Sequence, residues 1–161
     1  MTGALIAAAG STVLGAAAVT GWHALAGALL RLTYRRVNAG DLRFLARMLS
    51  VRVRYEFHGQ DHPLAGVYRG RAEVVAFIAR LHEAFPGSGF EVGDVAVRGW
   101  PWRVVAITWL AENLPLPGRE PMRTRLAQRT VIRWGRVTEL ATVADTMNVQ
   151  RAFGAVQPPG G

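Results

Sequence analysis

"VRVRYEFHGQDHPLAGVYRGRAEVVAFIARL", residues 51–81, changes its hydrophobic period midway. Val51, Val53, Tyr55 and Phe57 alternate with Arg52, Arg54, Glu56 and His58, which is the two-residue period of a strand buried on one face. A loop broken by Gly59, Pro63 and Gly66 follows. After Gly70, Val74, Phe77, Ile78 and Leu81 recur at three- and four-residue steps, the apolar stripe of a helix. The connecting loop carries His58, Asp61, His62 and Tyr68, a concentration of polar chemistry between two half-buried elements.

Working outward, residues 22–38 carry a helical pattern that stops at "NAGD", where Asn38 and Gly40 signal a C-terminus and Asp41 can cap the next helix, Leu42 to Leu49. Downstream of the third helix and its "PGSG" break, "FEVGDVAVRG", "WRVVAITWLAEN", "MRTRLAQRTVIRW" and "RVTELATVAD" read as four strands in a meander. A closing segment "TMNVQRAF" precedes "QPPGG", a disordered tail by composition. This order predicts an α+β fold with helices packed on one face of a strongly curved, mostly antiparallel sheet. The expected organisation is an apolar N-terminal extension over residues 1–21, one domain over 22–153, and a disordered tail over 154–161.

Composition sets limits. A chain of 161 residues, half of them apolar, suits one domain with a real core. The absence of cysteine excludes disulfides, thiol nucleophiles and cysteine metal sites, and all 19 basic residues are arginine, which excludes Schiff-base and lysine-base chemistry. The formal charge of +8 invites a nucleic-acid reading. The arginines are scattered along the elements instead of forming a patch, so that reading is disfavoured.

Residues 3–30 contain no formal charge and exceed the roughly 20 residues a bilayer span needs. A membrane segment here, followed by Arg31, Arg35 and Arg36, would leave the domain on the cytoplasmic side. Against this, Gly and Ala dominate the stretch, and Trp22, Leu25, Leu29 and Leu32 form a stripe suited to packing on a sheet. The first expectation is a cytoplasmic protein, with membrane anchoring through residues 3–30 as the alternative.

"YRRVNAGDLRFLARML", "VRYEFHGQDHPLAGVYRGRAEVVAFIARL" and "VIRWGRVTELATVADTMNV", taken in this order, resemble the SnoaL-like, ketosteroid-isomerase-related branch of the nuclear-transport-factor-2-like (NTF2-like) superfamily, over about residues 25–153. The resemblance implies a cone-shaped α+β fold enclosing one apolar pocket, often a homodimer through the outer face of the sheet. Ketosteroid isomerases place a tyrosine on the first helix, an aspartate base near the end of the first strand and a protonated aspartate on a later strand. Counted from "NAGD", the tyrosine position falls on Thr33, and Tyr34, rotated by about 100°, is expected to point elsewhere. The base position falls on Phe57 and the third near Gln128 or Arg129, so the catalytic acids are missing and that apparatus is disfavoured. The superfamily's epoxide-hydrolase apparatus needs an interior arginine. Arg123, Arg125, Arg129 and Arg133 share the strand parity opposite to the apolar one and are expected on the outer face.

These considerations favour a small-molecule-binding protein with an apolar pocket for a hydrophobic ligand of polyketide-, steroid- or terpenoid-like type, with catalysis left open. Tyr55, Phe57, His62, Trp109 and Gln128 are the expected ligand contacts. His62, Gln128 and Asp145 are the catalytic candidates. His62 could act in neutral form as acid or base near physiological pH, Gln128 is an amide among apolar neighbours, and Asp145 occupies the family's terminal aspartate position, although capping explains it equally well. A metal at His58, Asp61, His62 and His82 is disfavoured, because such spacing in a loop is common by chance. No cofactor is expected. "WRVVAITWLA" is apolar on both parities, which suggests cover on its second face and hence a homodimer. Alternatives are an isomerase, cyclase or hydrolase of the same superfamily, and a non-enzymatic interaction module held at a membrane.

Overall fold

The structure, a computed structural model, describes residues 3–59, 64–116, 118 and 120–156, with side chains among them except at 3–18, 146, 153, 155 and 156. His62, Asp61 and the segment 157–161 therefore lie outside the described residues. Helices α1 (Gly3–Asn38) and α2 (Leu42–Met48) precede strands β1 (Leu49–His58) and β2 (Gly66–Arg69). Helix α3 (Arg71–Ala84) leads into β3 (Gly89–Trp100), β4 (Arg103–Leu114), β5 (Met122–Arg133) and β6 (Arg136–Ala144), and α4 (Thr146–Val156) closes the chain.

The six strands form one sheet in the order β2-β1-β6-β5-β4-β3. Every pairing is antiparallel except β1 with β6. The meander β3 to β6 and the three sequence-predicted helices stand as expected. Three features differ. The second half of the loop after β1 forms β2, too short at four residues to show a period. The segment "TMNVQRAF" is helical and α4 continues to Val156, three residues into the stretch read as tail. Helix α1 is unbroken from Gly3, across the boundary drawn at residue 21. Among the described residues, no helix is long and apolar enough to cross a membrane.

Local chemistry accounts for the joints. Gly40, at φ 77°, ends α1 with its N–H donating to the Val37 carbonyl at 2.8 Å, and Asp41 then caps α2 by accepting from Phe44 N–H at 2.9 Å. The Asn38 side chain clamps the end of α1 to the start of β3, donating to the Phe90 carbonyl at 2.8 Å and accepting from its N–H at 2.9 Å. Register shifts between Val92 and Val95 and between Leu49 and Arg54 bend the sheet. The concave face packs on α1, α2 and α3 around Leu49, Val53, Val74, Phe77, Val104 and Ala106. A second cluster, Leu81, Phe85, Leu114 and Ala152, seats α4.

Candidate functional site: a cavity inside the cone

Alternation in β4 and β5 turns Leu110, Glu112, Leu126, Gln128, Thr130 and Ile132 to the concave side. There they meet Leu30, Tyr34 and Val37 of α1, Tyr55 and Phe57 of β1, and Ile78 and Leu81 of α3. These residues enclose a cavity with about 90 Å³ open to the centre of a water molecule. Its wall is overwhelmingly apolar. Tyr55 meets Phe57 and Phe77 edge to face, with Tyr55 and Phe77 centroids 5.3 Å apart, and Phe57 and Phe77 are tilted to each other, which fixes the β1 side of the wall.

Polar groups interrupt this wall in two places. Gln128 pairs across the sheet with Thr108 on one side and Thr142 on the other, and its Nε2 donates to Thr142 Oγ1 at 2.9 Å. The Tyr34 hydroxyl donates to Gln128 Oε1, forming a chain Tyr34–Gln128–Thr142 from α1 to β6. Burial, with Tyr55 close by, pushes the Tyr34 hydroxyl well above the usual phenol range. Burial also raises Tyr55, against the partial relief of its hydrogen bonding to Thr142 and Gln128. Both phenols stay protonated and serve as hydrogen-bond donors.

The second place is Glu112, opposite Thr124 in the register and only 4% exposed. Its Oε1 has no hydrogen-bond partner, and burial pushes its carboxyl up to about 7. An unpaired carboxyl in an apolar site is neutral in half the molecules at that pH and can give or take a proton. Thr130 Oγ1, also on the cavity wall, is likewise unpartnered.

The expected site residues divide accordingly. Tyr55, Phe57 and Gln128 line the cavity. Trp109 does not: it sits on the opposite strand parity from Thr108 and Leu110, half exposed on the outer face. A strand apolar on both parities had hidden which side it occupied. Asp145 is exposed and accepts from Asn148 Nδ2 at 2.9 Å and Asn148 N–H at 3.4 Å, a capping arrangement for α4 remote from the cavity wall. Tyr34, expected to point elsewhere, reaches into the cavity together with Thr33, because a chamber enclosed on several sides accepts more than one row of a helix. The outward placement of the β5 arginines is confirmed by Arg123–Glu91 at 2.6 Å, Arg129–Glu139 at 3.4 Å and Arg133–Glu139 at 3.5 Å. Glu56 pairs with Arg54 at 2.6 Å on that same side. Glu112 was missed. Its signal was present: an acid continuing the 104, 106, 108, 110 parity of an otherwise apolar strand. Among the described residues, no group of three His, Asp or Glu side chains could hold a metal.

A bent six-stranded sheet closed by helices over an apolar chamber defines an NTF2-like α+β protein. The SnoaL-like domain family matches residues 30–140, most of the chain, and the protein belongs to that family. No curated protein matches the chain. Its fold is shared with an NTF2-like protein of unknown function from Burkholderia pseudomallei K96243 (20% identity, TM-score 0.65, 78% of this chain and 95% of that one). It is also shared with a Jannaschia sp. CCS1 protein described as a SnoaL-like polyketide cyclase (23%, TM-score 0.60, 81% and 90%). A third structure of this fold is TerC co-crystallized with polyporic acid (16%, TM-score 0.60, 75% and 92%).

Proposed function

We propose that the protein binds a hydrophobic small molecule, polyketide-, steroid- or terpenoid-like, inside the cone. One observation carries this reading: an enclosed apolar cavity whose wall holds a buried carboxyl with an oxygen that no protein group satisfies. Such a group finds its partner in a ligand carbonyl, hydroxyl or amine. The family relation and the cyclase and polyporic-acid names borne by two neighbours support the ligand class. The test is a fluorescence titration with a panel of polycyclic ketones and quinones. Leu126→Trp, which fills the cavity, should abolish binding, and Trp109→Ala on the outer face should leave it intact. Equal affinity of Leu126→Trp and the parent protein would sink the reading.

Glu112 favours a second reading, turnover of that ligand by proton transfer. Glu112 would act as acid and base, and the Tyr34 hydroxyl, on turning its proton from Gln128 Oε1 to the ligand, would stabilise developing negative charge on oxygen. Turnover that survives Glu112→Gln would exclude it. We further propose a homodimer in which the outer faces meet, since Trp109, Ala127 and Val143 lie side by side there with Trp109 and Val143 exposed. A monomeric mass in analytical ultracentrifugation at micromolar concentration would exclude that.

A further inference from the structure

Three of the five tryptophans stand at one end of the sheet. Trp100 and Trp102 occupy the β3–β4 turn and Trp134 the β5–β6 turn, and the pairing of Val104 with Ile132 sets these two turns side by side. The indoles of Trp100 and Trp102 stack 5.4 Å apart with planes 1° from parallel, yet they remain 52% and 51% exposed, and Trp134 is 81% exposed. None of the three belongs to the buried core. The first turn is set by Gly99, at φ 105°, where a Cβ would lie 2.3 Å from the Arg103 carbonyl oxygen. In the second, Trp134 (φ 50°) precedes Gly135 (φ 74°), a left-handed pair that Asn or Gly adopts readily and a bulky aromatic resists. An indole held in a strained position and left in water suits a partner outside the chain.

Cations surround these rings. Arg98 and Arg103 flank the first turn and Arg133 and Arg136 the second, all exposed. Arg133 shares Glu139, Arg136 donates to the Arg47 carbonyl, and none of the described ion pairs involves Arg98 or Arg103. Helix α1 arrives at the same end, where His23 Nε2 hydrogen-bonds the Gly99 carbonyl at 2.8 Å. Because Asn38 is clamped to Phe90 at the far end of β3, and Thr20 and Trp22 still pack on the body of the domain, the helix axis carries residues 3–18 onward past the turn. That is about 24 Å of helix at 1.5 Å per residue, and it contains no formal charge.

We propose that this end of the molecule seats on an anionic phospholipid bilayer. Trp100, Trp102 and Trp134 lie in the headgroup layer, the four arginines meet lipid phosphates, and the first turns of α1 enter the apolar boundary beside them. Indole, apolar with one N–H donor, partitions to that layer, and guanidinium matches phosphate in bidentate geometry. The seat is peripheral and requires no crossing helix.

Flotation of the full chain with vesicles of phosphatidylcholine, with and without phosphatidylglycerol, tests this. The chain should float only when phosphatidylglycerol is present, with indole emission shifted to the blue and binding that weakens as salt is added. Trp100→Ser, Trp102→Ser and Trp134→Ser combined should lose most of the bound fraction at unchanged far-ultraviolet circular dichroism, and Trp109→Phe should lose none. Arg103→Gln and Arg98→Gln should each weaken binding roughly fivefold. Absence of flotation, equal flotation on neutral vesicles, or full binding by the triple variant would each overturn the proposal.

Discussion

The two faces of β4 and β5 come from alternating residues of the same strands, and they differ in almost everything except backbone. The concave face presents Thr108, Leu110, Leu126 and Thr130, buried, with one unpaired acid, Glu112. The convex face presents Trp109, Arg123, Arg125 and Arg129, charged and partly wet, with its acids already paired to arginine. The contrast teaches where a carboxylate acquires chemical meaning. Glu139 on the convex side bridges Arg129 and Arg133 in solvent, where such pairs contribute little. Glu112 on the concave side has burial acting on it with no cation to offset it, so it titrates near neutrality.

Substitutions can break or sharpen this contrast. The largest difference is expected between neighbours at concentrations low enough to keep the chain monomeric: Leu110→Ala should cost about 2–5 kcal/mol in urea unfolding, and Trp109→Ala less than about 1 kcal/mol, a gap that narrows at concentrations where the proposed dimer forms. Equal losses would mean that the convex face is as covered as the core, which is the outcome a stable dimer produces.

Next comes Glu112→Gln, whose effect depends on pH. With a carboxyl raised from 4.5 to about 7, the native state retains a proton that the unfolded chain releases, so stability declines as pH rises across that interval. Glutamine removes the titration. The variant should match the parent below pH 4.5 and exceed it by about 3 kcal/mol above pH 7, as read from unfolding midpoints across pH. A difference independent of pH would show that Glu112 is not desolvated.

Tyr34→Phe removes the donor to Gln128 while leaving the ring in place against Phe90, and should cost about 1–2 kcal/mol. The smallest effect belongs to the convex face. Arg129→Gln should shift stability by less than about 0.5 kcal/mol and should do so only at low salt.

Much of the fold was legible before the structure. The alternation in 51–58, the stripe at Val74, Phe77, Ile78 and Leu81, and the "NAGD" stop each follow from a local period or cap that operates whatever packs around it. The site was less legible. Gln128 was readable because an amide among apolar residues of one parity must face the interior. Glu112 carried a signal, an acid on the 104–110 parity, but the side which that parity and Trp109 face was not readable, because β4 is apolar on both parities and only the bend of the sheet decides which side is concave.

Residue order alone therefore determined the α+β class, the meander, the helix caps, the outward arginines and the SnoaL-like resemblance, since all of these rest on periods of two and 3.6 residues or on ordered short motifs. Tertiary structure alone decided that Tyr34 meets Gln128 across 94 positions, that Glu112 is buried with its Oε1 unpartnered, and that Trp100, Trp102 and Trp134 share one end. These facts depend on strand order, register and curvature, which are set by the packing of distant segments against one another and leave no trace in any local window of sequence.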